Sequence, residues 1–240
     1  MEQNLSKKTR TESDLIGSRE VPESALYGVQ TLRGIENFRI SKFHLNEYPL
    51  FIQALAITKM GAAVANRELD LLTEEQADAI LKACKEILEG KYHDQFPVDM
   101  IQGGAGTTTN MNANEVIANR ALELMGHKRG EYQYCSPNDH VNRSQSTNDA
   151  YPTAIHIGMY YTHLKLVKHF KEVIDAFRRK GEEFAHVIKM GRTQLEDAVP
   201  MTLGQTFNGF ASILQDEVKN LDFAAQDFLT VNMGATAIGT

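Results

Sequence analysis

The sequence has 240 residues, of which 42% are hydrophobic and 23% charged, as is typical of a globular protein. This length allows one large domain or two smaller ones. A net charge of −6 and the lack of a basic stripe argue against a nucleic-acid partner. No apolar run approaches the ~20 residues that a membrane-spanning helix needs, so we expect no membrane partner.

The N-terminal residues and the cysteines indicate the cellular compartment. Residues 1–8 are polar and lack the apolar core of a signal peptide. Cys84 and Cys135 are far apart in the sequence, which argues against a disulfide scaffold or a thiolate metal site. A reducing cytoplasm fits these features best.

Two scaffold helices are predicted in the first part of the chain. Residues before about 50 form no long periodic pattern and are interpreted as loop with short elements. Apolar residues then recur at helical spacing over residues 51–69. Thr73 and Gln76 form a predicted capping box at the start of a second helix. Cys84 lies on the apolar stripe of that helix, which favours a packed thiol over a nucleophile.

A glycine-rich stretch occupies residues 102–115. Gly103, Gly104 and Gly106 permit close backbone approach, and three threonines follow at once. The stretch lacks the Gly-Lys-Ser/Thr ending of a phosphate-binding loop and the spacing of a dinucleotide fingerprint. Taken alone it fits either a tight turn or an anion cradle. Asn114 and Glu115 are predicted to start the next helix.

A second polar stretch, residues 136–152, leads into the longest helical pattern. Ser146, Thr147, Asn148 and Asp149 are preferred N-cap types, and Pro152 suits a first helical turn. A helix N-terminus offers unpaired N–H groups and partial positive charge, so it can hold an anion. The simpler interpretation is an N-cap preceded by a polar loop.

Long helices are predicted over residues 151–186 and 207–231, and their length and spacing favour a helical bundle. Three histidines of the first helix lack the i,i+4 spacing of a zinc pair. They are interpreted as packing or solvated side chains: His156, His163 and His169.

A third polar stretch, residues 189–206, interrupts these helices. Gly191, Pro200 and Gly204 prevent a smooth helix. The stretch is either a helix–helix corner in which Arg192 caps carbonyl groups, or a ligand-binding break.

Together the three stretches predict a pocket for a small dianion that is rich in Thr, Ser and Asn and poor in acids. The sequence lacks a Ser–His–Asp spacing, a metal-ligand set and a paired-carboxylate motif. A lyase would suit such a pocket. Removing a proton beside a carboxylate builds negative charge on that carboxylate, and preorganised donors stabilise it.

Three blocks of the sequence, residues 103–121, 136–152 and 189–205, resemble in this order the first blocks of the aspartase/fumarase superfamily. The similarity runs from about residue 14 to residue 240. Within the superfamily the sequence is more similar to the ammonia-lyases than to the class II fumarases. The Gly-Gly-Ala-Gly-Thr loop, Asp139-His140 and Ser146-Thr147-Asn148 carry this preference.

The resemblance implies an all-α fold. Residues 1–140 would form an N-terminal, mostly helical lyase domain. Residues 141–240 would form part of a central helical-bundle domain, and relatives with this fold are homotetramers. The glycine-rich ending, residues 231–240, is interpreted as a cut within a longer chain.

The resemblance also implies a reversible elimination of ammonia from L-aspartate to give fumarate, without an organic cofactor or a metal ligand; activation by a divalent cation stays open. It implies six substrate-binding residues: Thr107, Ser146, Thr147, Asn148, Thr193 and Gln194. The first three would hold the side-chain carboxylate, and Asn148 would reach the amino group. The last two would lie near the α-carboxylate and amino end.

No catalytic residue is assigned within this chain, because the resemblance places the serine base beyond Thr240. We therefore expect the isolated chain to be inactive. Two alternatives stay open: a class II fumarate hydratase, which would release water instead of ammonia, and a non-enzymatic helical structural protein.

Overall fold

The computed structural model describes residues 8–236. The polar residues 1–7 and the last four residues of the glycine-rich ending lie outside the described residues. The described chain divides into two compact units. Unit 1 comprises residues 8–158 with 231–236, and unit 2 comprises residues 159–230. The domain division predicted at residue 140 stays a prediction.

The predicted all-α class is confirmed for the described residues, whose core elements are helices. The α-helices are α1 (Val29–Asn37), α2 (Pro49–Glu68), α3 (Glu74–Leu88), α4 (Thr107–Leu124), α5 (Thr147–Glu183) and α6 (Leu203–Ala224). Two antiparallel hairpins accompany them, formed by β1 (Thr9–Asp14) with β2 (Gly17–Pro22) and by β3 (Ile188–Thr193) with β4 (Glu196–Thr202). Shorter 3-10 or π turns cover Leu45–Glu47, His93–Gln95, Pro137–Val141 and Ala225–Leu229.

Unit 1 is built around the packed helices α2, α3 and α4. The predicted capping box of α3 is confirmed, since the Gln76 backbone amide donates to the Thr73 hydroxyl and the Thr73 backbone amide donates to the Gln76 side-chain oxygen. Cys84 is fully buried in the core, as predicted, and burial raises the pKa of its thiol to about 12. Both cysteines are free thiols. They therefore act as apolar packing groups.

Unit 2 has a smaller core between α5 and α6. Val167 and Ile174 on α5 pack with Ala211 and Val218 on α6. His163 is buried beside this core and lies 2.9 Å from the Asp222 carboxylate, which fits its interpretation as a packing histidine. No helix within residues 8–236 is long and apolar enough to cross a membrane.

The predicted start of α4 and the predicted end of the last helix are wrong. The helix assigned to start at Asn114 starts at Thr107, because the threonines and asparagines after the glycines are themselves helical. The last helix ends at Ala224 and gives way to a 3-10 turn, although its apolar spacing continues to Val231. Apolar spacing does not locate the last residue of a helix.

Asp99 fixes the backbone that leads into the glycine-rich stretch. Its carboxylate accepts hydrogen bonds from the amides of Ile40, Ser41 and Ile101 and from the Ser41 hydroxyl, at 2.7–2.9 Å. Burial alone would raise the pKa of Asp99, but these hydrogen bonds lower it from the usual 3.8 to about 2.

The lowered pKa predicts a pH-dependent contribution to stability. The ionised carboxylate stabilises the folded state above pH ~4, and this contribution is lost as the pH falls toward 2. We expect Asp99→Asn to be less stable than the wild type at pH 6. The difference should shrink between pH 4 and 2, as measured by urea unfolding at a series of pH values. A difference that stays constant down to pH 2 would contradict this role.

Candidate active site

The glycine-rich stretch is a turn that ends at the N-terminus of α4. Gly104 and Gly106 have φ angles of +73° and +91°, which favour glycine, and Gly106 is the N-cap residue. The Gln102 side chain braces the turn, since it accepts from the Thr109 amide and donates to the Thr109 hydroxyl. The exposed Thr107 therefore stands at the positive end of a helix.

The second polar stretch ends in the first turn of α5, which starts at Thr147. The Ser146 amide donates to the buried Asp149 carboxylate at 2.9 Å, and the Ser146 hydroxyl accepts from the Asn148 amide. Ser146 and Thr147 are half-buried and Asn148 is exposed. This reciprocal capping holds three of the predicted substrate-binding residues in one fixed turn.

The N-terminal turns of α4 and α5 meet. Asn110 lies one turn after Thr107 on α4, and its amide nitrogen donates to the Thr147 hydroxyl at 3.2 Å. Gly106 packs so closely against the Tyr151 ring of α5 that no Cβ atom would fit between them. The structure thus joins the turns that carry four of the six predicted residues: Thr107, Ser146, Thr147 and Asn148.

A buried lysine stands behind these turns. Lys59 on α2 has no exposed surface, and its ammonium donates to Asn110 Oδ1, Asn142 Oδ1 and Gln145 Oε1 at 2.7–2.9 Å. Burial lowers the pKa of Lys59 to about 7, and attraction to Asp149 opposes the shift. A neutral amine has two N–H groups for these three oxygens, so the arrangement is that of the ammonium ion.

The segment after unit 2 also reaches the start of α5. The Asn232 side chain donates to the Asn148 carbonyl oxygen at 2.9 Å, and the Gly234 amide donates to the Asp149 carboxylate at 3.1 Å. Asp149 therefore accepts from both sides, from Ser146 and from Gly234. The backbone that presents Ser146, Thr147 and Asn148 is held by contacts distant in sequence.

Sequence reasoning missed Lys59 and Asn110 as organising residues of this site, and it named Asp149 only as a preferred N-cap type. A signal for Lys59 was present in the sequence. Lys59 lies four residues after Leu55 and four before Ala63, on the buried stripe of α2. A lysine at such a position is expensive to bury unless it is hydrogen-bonded or paired.

The third polar stretch is a β-hairpin, and its interpretation as a helix–helix corner is wrong. Thr193 is the last residue of β3, and Gln194 and Leu195 have φ angles of +49° and +68°, as in a type I′ turn. Arg192 pairs with Asp197 across the hairpin and does not cap a helix. Thr193 and Gln194 are exposed and belong to unit 2, whereas the other four predicted residues belong to unit 1.

The site of unit 1 is suited to an anion. It combines two helix N-termini, neutral donors and a buried cation. The carboxylate of Asp149 accepts hydrogen bonds from two backbone amides. Within residues 8–236, no group of three His, Cys, Asp or Glu side chains is arranged to hold a metal ion. The arrangement can bind a carboxylate and stabilise additional negative charge on it.

Residues 17–240 match the lyase family, and the chain belongs to this family. It is 55% identical over 237 residues to an aspartate ammonia-lyase of Escherichia coli strain K12. The matched residues cover 98% of this chain and 50% of that protein. It is 57% identical over 232 residues to an aspartate ammonia-lyase of Pseudomonas fluorescens, with coverages of 96% and 48%. The chain thus spans about half the length of these relatives.

Solved structures show the same fold. A protein of Brucella melitensis described as fumarate lyase:delta crystallin, in native form, has a TM-score of 0.91 and 51% identity, over 94% of this chain and 52% of that one. A class II fumarase of Schistosoma mansoni has a TM-score of 0.89 and 37% identity, over 97% of this chain and 49% of that one. The structural match includes proteins named for different reactions, so the fold alone does not select the substrate.

Proposed function

We propose that this chain forms part of an aspartate ammonia-lyase, which reversibly eliminates ammonia from L-aspartate to give fumarate. The observation that carries this proposal is the junction of the α4 and α5 N-termini through Asn110 and Thr147. Identities of 55–57% to two aspartate ammonia-lyases support it. The chain spans about half the length of these relatives, so the activity is proposed for the complete gene product.

The proposed mechanism begins with the side-chain carboxylate of aspartate bound by Thr107, Ser146 and Thr147. A base removes the Cβ proton beside this carboxylate, and negative charge develops on the carboxylate oxygens. Donors that are already oriented stabilise this charge without reorganisation. The C–N bond then breaks, and ammonia leaves. We propose that the base is a serine beyond Thr240, as the superfamily resemblance implies.

The remaining proposed contacts concern the amino end of the substrate. Asn148 is exposed at the first turn of α5 and would reach the amino group. Thr193 and Gln194, at the tip of the β3–β4 hairpin, would lie near the α-carboxylate. A hairpin tip with both residues exposed can contribute to a site in another copy of the chain.

We also propose that the complete protein is a homotetramer. Many large apolar side chains of α5 and α6 in unit 2 are exposed, which favours a surface that another chain covers: Met159, Tyr161, Leu164, Leu166, Val173, Phe210, Ile213 and Phe223. A cytoplasmic location is proposed with it, supported by the two buried free thiols.

The proposed activity is tested by following fumarate absorbance with the complete gene product. L-Aspartate should give fumarate, whereas L-malate should not. Thr147→Val should lower kcat/KM for aspartate about 10²–10³-fold, because it removes one donor to the developing charge. Thr9→Val is the matched control and should leave activity unchanged, because Thr9 is exposed at the start of β1.

Each contrary result selects another function. Turnover of malate without turnover of aspartate would identify a fumarate hydratase. Turnover of neither substrate, without dicarboxylate binding in calorimetry, would favour a structural protein.

A further inference from the structure

The hydrogen bonds around Lys59 run in one direction. Its ammonium can only donate, so each of the three amides that surround it must present an oxygen: Asn110, Asn142 and Gln145. The nitrogen of each amide consequently points away from Lys59. The charge of one buried lysine therefore fixes the orientation of the amides that surround it.

The side-chain nitrogens of these three amides all donate to acceptors within the protein. The Gln145 nitrogen donates to the carbonyl oxygens of Val141 and Arg143, and the Asn142 nitrogen donates to the carbonyl oxygen of Gln145. The Asn110 nitrogen donates to Asn142 Oδ1 and to the Thr147 hydroxyl. A rotated Asn110 amide would place its nitrogen against the ammonium, so the observed orientation is fixed.

The orientation of Asn110 determines what the Thr147 hydroxyl can do. A hydroxyl group has one proton and two acceptor lone pairs. Because Asn110 donates to Thr147, the hydroxyl accepts there and its proton stays available for another acceptor. A carboxylate is such an acceptor, since it has no proton of its own to donate.

We propose that Lys59 is a positioning residue: through the fixed amide of Asn110 it makes Thr147 a hydrogen-bond donor to the substrate carboxylate. This inference rests on the proposed function and deepens it. All three protons of Lys59 are used within the protein, so Lys59 does not itself touch the substrate. Its effect reaches Thr147 through two hydrogen bonds, and a third, donated by the Thr147 hydroxyl, joins Thr147 to the substrate carboxylate.

The test replaces the amide and keeps the lysine. Lys59→Met is the obvious variant, but it leaves the buried Asn110 and the partly buried Asn142 and Gln145 without their donor and can prevent folding. Asn110→Asp has nearly the same shape and still accepts from Lys59. Its carboxylate accepts from the Thr147 hydroxyl as well, which takes the proton intended for the substrate.

Calorimetric titration of the complete gene product with succinate measures the effect in a double-mutant cycle. We expect Asn110→Asp to weaken succinate binding at least tenfold when Thr147 is present. In the Thr147→Val background the same change should weaken it less than threefold. The melting temperature of Asn110→Asp should not fall, because Lys59 gains an ionic partner; a purely structural role of Asn110 would lower it.

Three outcomes overturn the inference. Equal weakening in both backgrounds would show that the new charge repels succinate directly, without Thr147. Unchanged binding by Asn110→Asp would show that the amide orientation does not matter. If the wild type does not bind succinate at all, the proposed function fails and the inference fails with it, whereas the first two outcomes leave the proposed function intact.

Discussion

Replacing Gly106 by alanine should destabilise the protein by about 2–5 kcal/mol and displace the start of α4. Two costs add at this position. The φ angle of +91° is unfavourable for any residue with a Cβ atom, and the new methyl group would overlap the Tyr151 ring. Because Thr107 follows directly, dicarboxylate binding should weaken as well. Urea unfolding and calorimetric titration with succinate measure the two effects.

Gly90 provides a matched control for this prediction. Its φ angle is +89°, but a Cβ atom at this position would meet nothing within 4 Å. Gly90→Ala should therefore cost only the backbone strain, about 1–2 kcal/mol, and leave succinate binding unchanged. Equal destabilisation by both variants would show that the contact between Gly106 and Tyr151 does not restrict the site.

Replacing Glu115 by glutamine should destabilise the protein by about 2–3 kcal/mol. Glu115 lies in the middle of α4 and is 2% exposed. Its two carboxylate oxygens accept from the backbone amides of Gly28, Gln30 and Thr31, at the N-terminus of α1, at 2.8–3.0 Å. Burial raises the pKa of Glu115, and these hydrogen bonds oppose the shift.

A glutamine can offer only one oxygen to these three amides. Its NH₂ group would face a backbone N–H and leave a buried donor without a partner. Glu123→Gln on the same helix is the control, because Glu123 is partly exposed in ion pairs with Arg120 and Arg129. We expect it to cost less than 1 kcal/mol in urea unfolding. A cost for Glu115→Gln no larger than this control would contradict the capping role.

Helices with a clear apolar stripe could be predicted from the sequence. The capping box at Thr73 and the packed thiol of Cys84 follow from local patterns, and both are confirmed. The long helix α5 was also predicted, although it starts four residues earlier than expected, at Thr147. In these cases the pattern lies within one element and needs no information about its neighbours.

The start of α4 could not be predicted in this way. Residues 107–115 are rich in Thr and Asn, which have low helix propensity. They are helical because tertiary hydrogen bonds use their side chains. Asn110 binds Lys59, Asn112 binds the Gln95 carbonyl oxygen, and Glu115 caps α1. A one-dimensional pattern does not contain these partners.

The β3–β4 hairpin was missed for a related reason. Its turn residues Gln194 and Leu195 adopt positive φ angles without a Gly, Asn or Asp residue, which are the usual turn signals. Gly191 and Pro200 correctly indicated a break in the helices but not its form. The candidate residues Thr193 and Gln194 could therefore be proposed from resemblance, whereas their strand–turn setting could not.

The hydrogen bond from Gly234 to Asp149 has a consequence for the order of folding. These residues are 85 positions apart in the chain, and their contact closes a loop that includes all of unit 2. The entropy lost on closing a loop grows with its length, so such a contact forms late unless its ends are already ordered. During synthesis on the ribosome, the hydrogen bond from the Gly234 amide to the Asp149 carboxylate, in the first turn of α5, can form only after Gly234 has emerged.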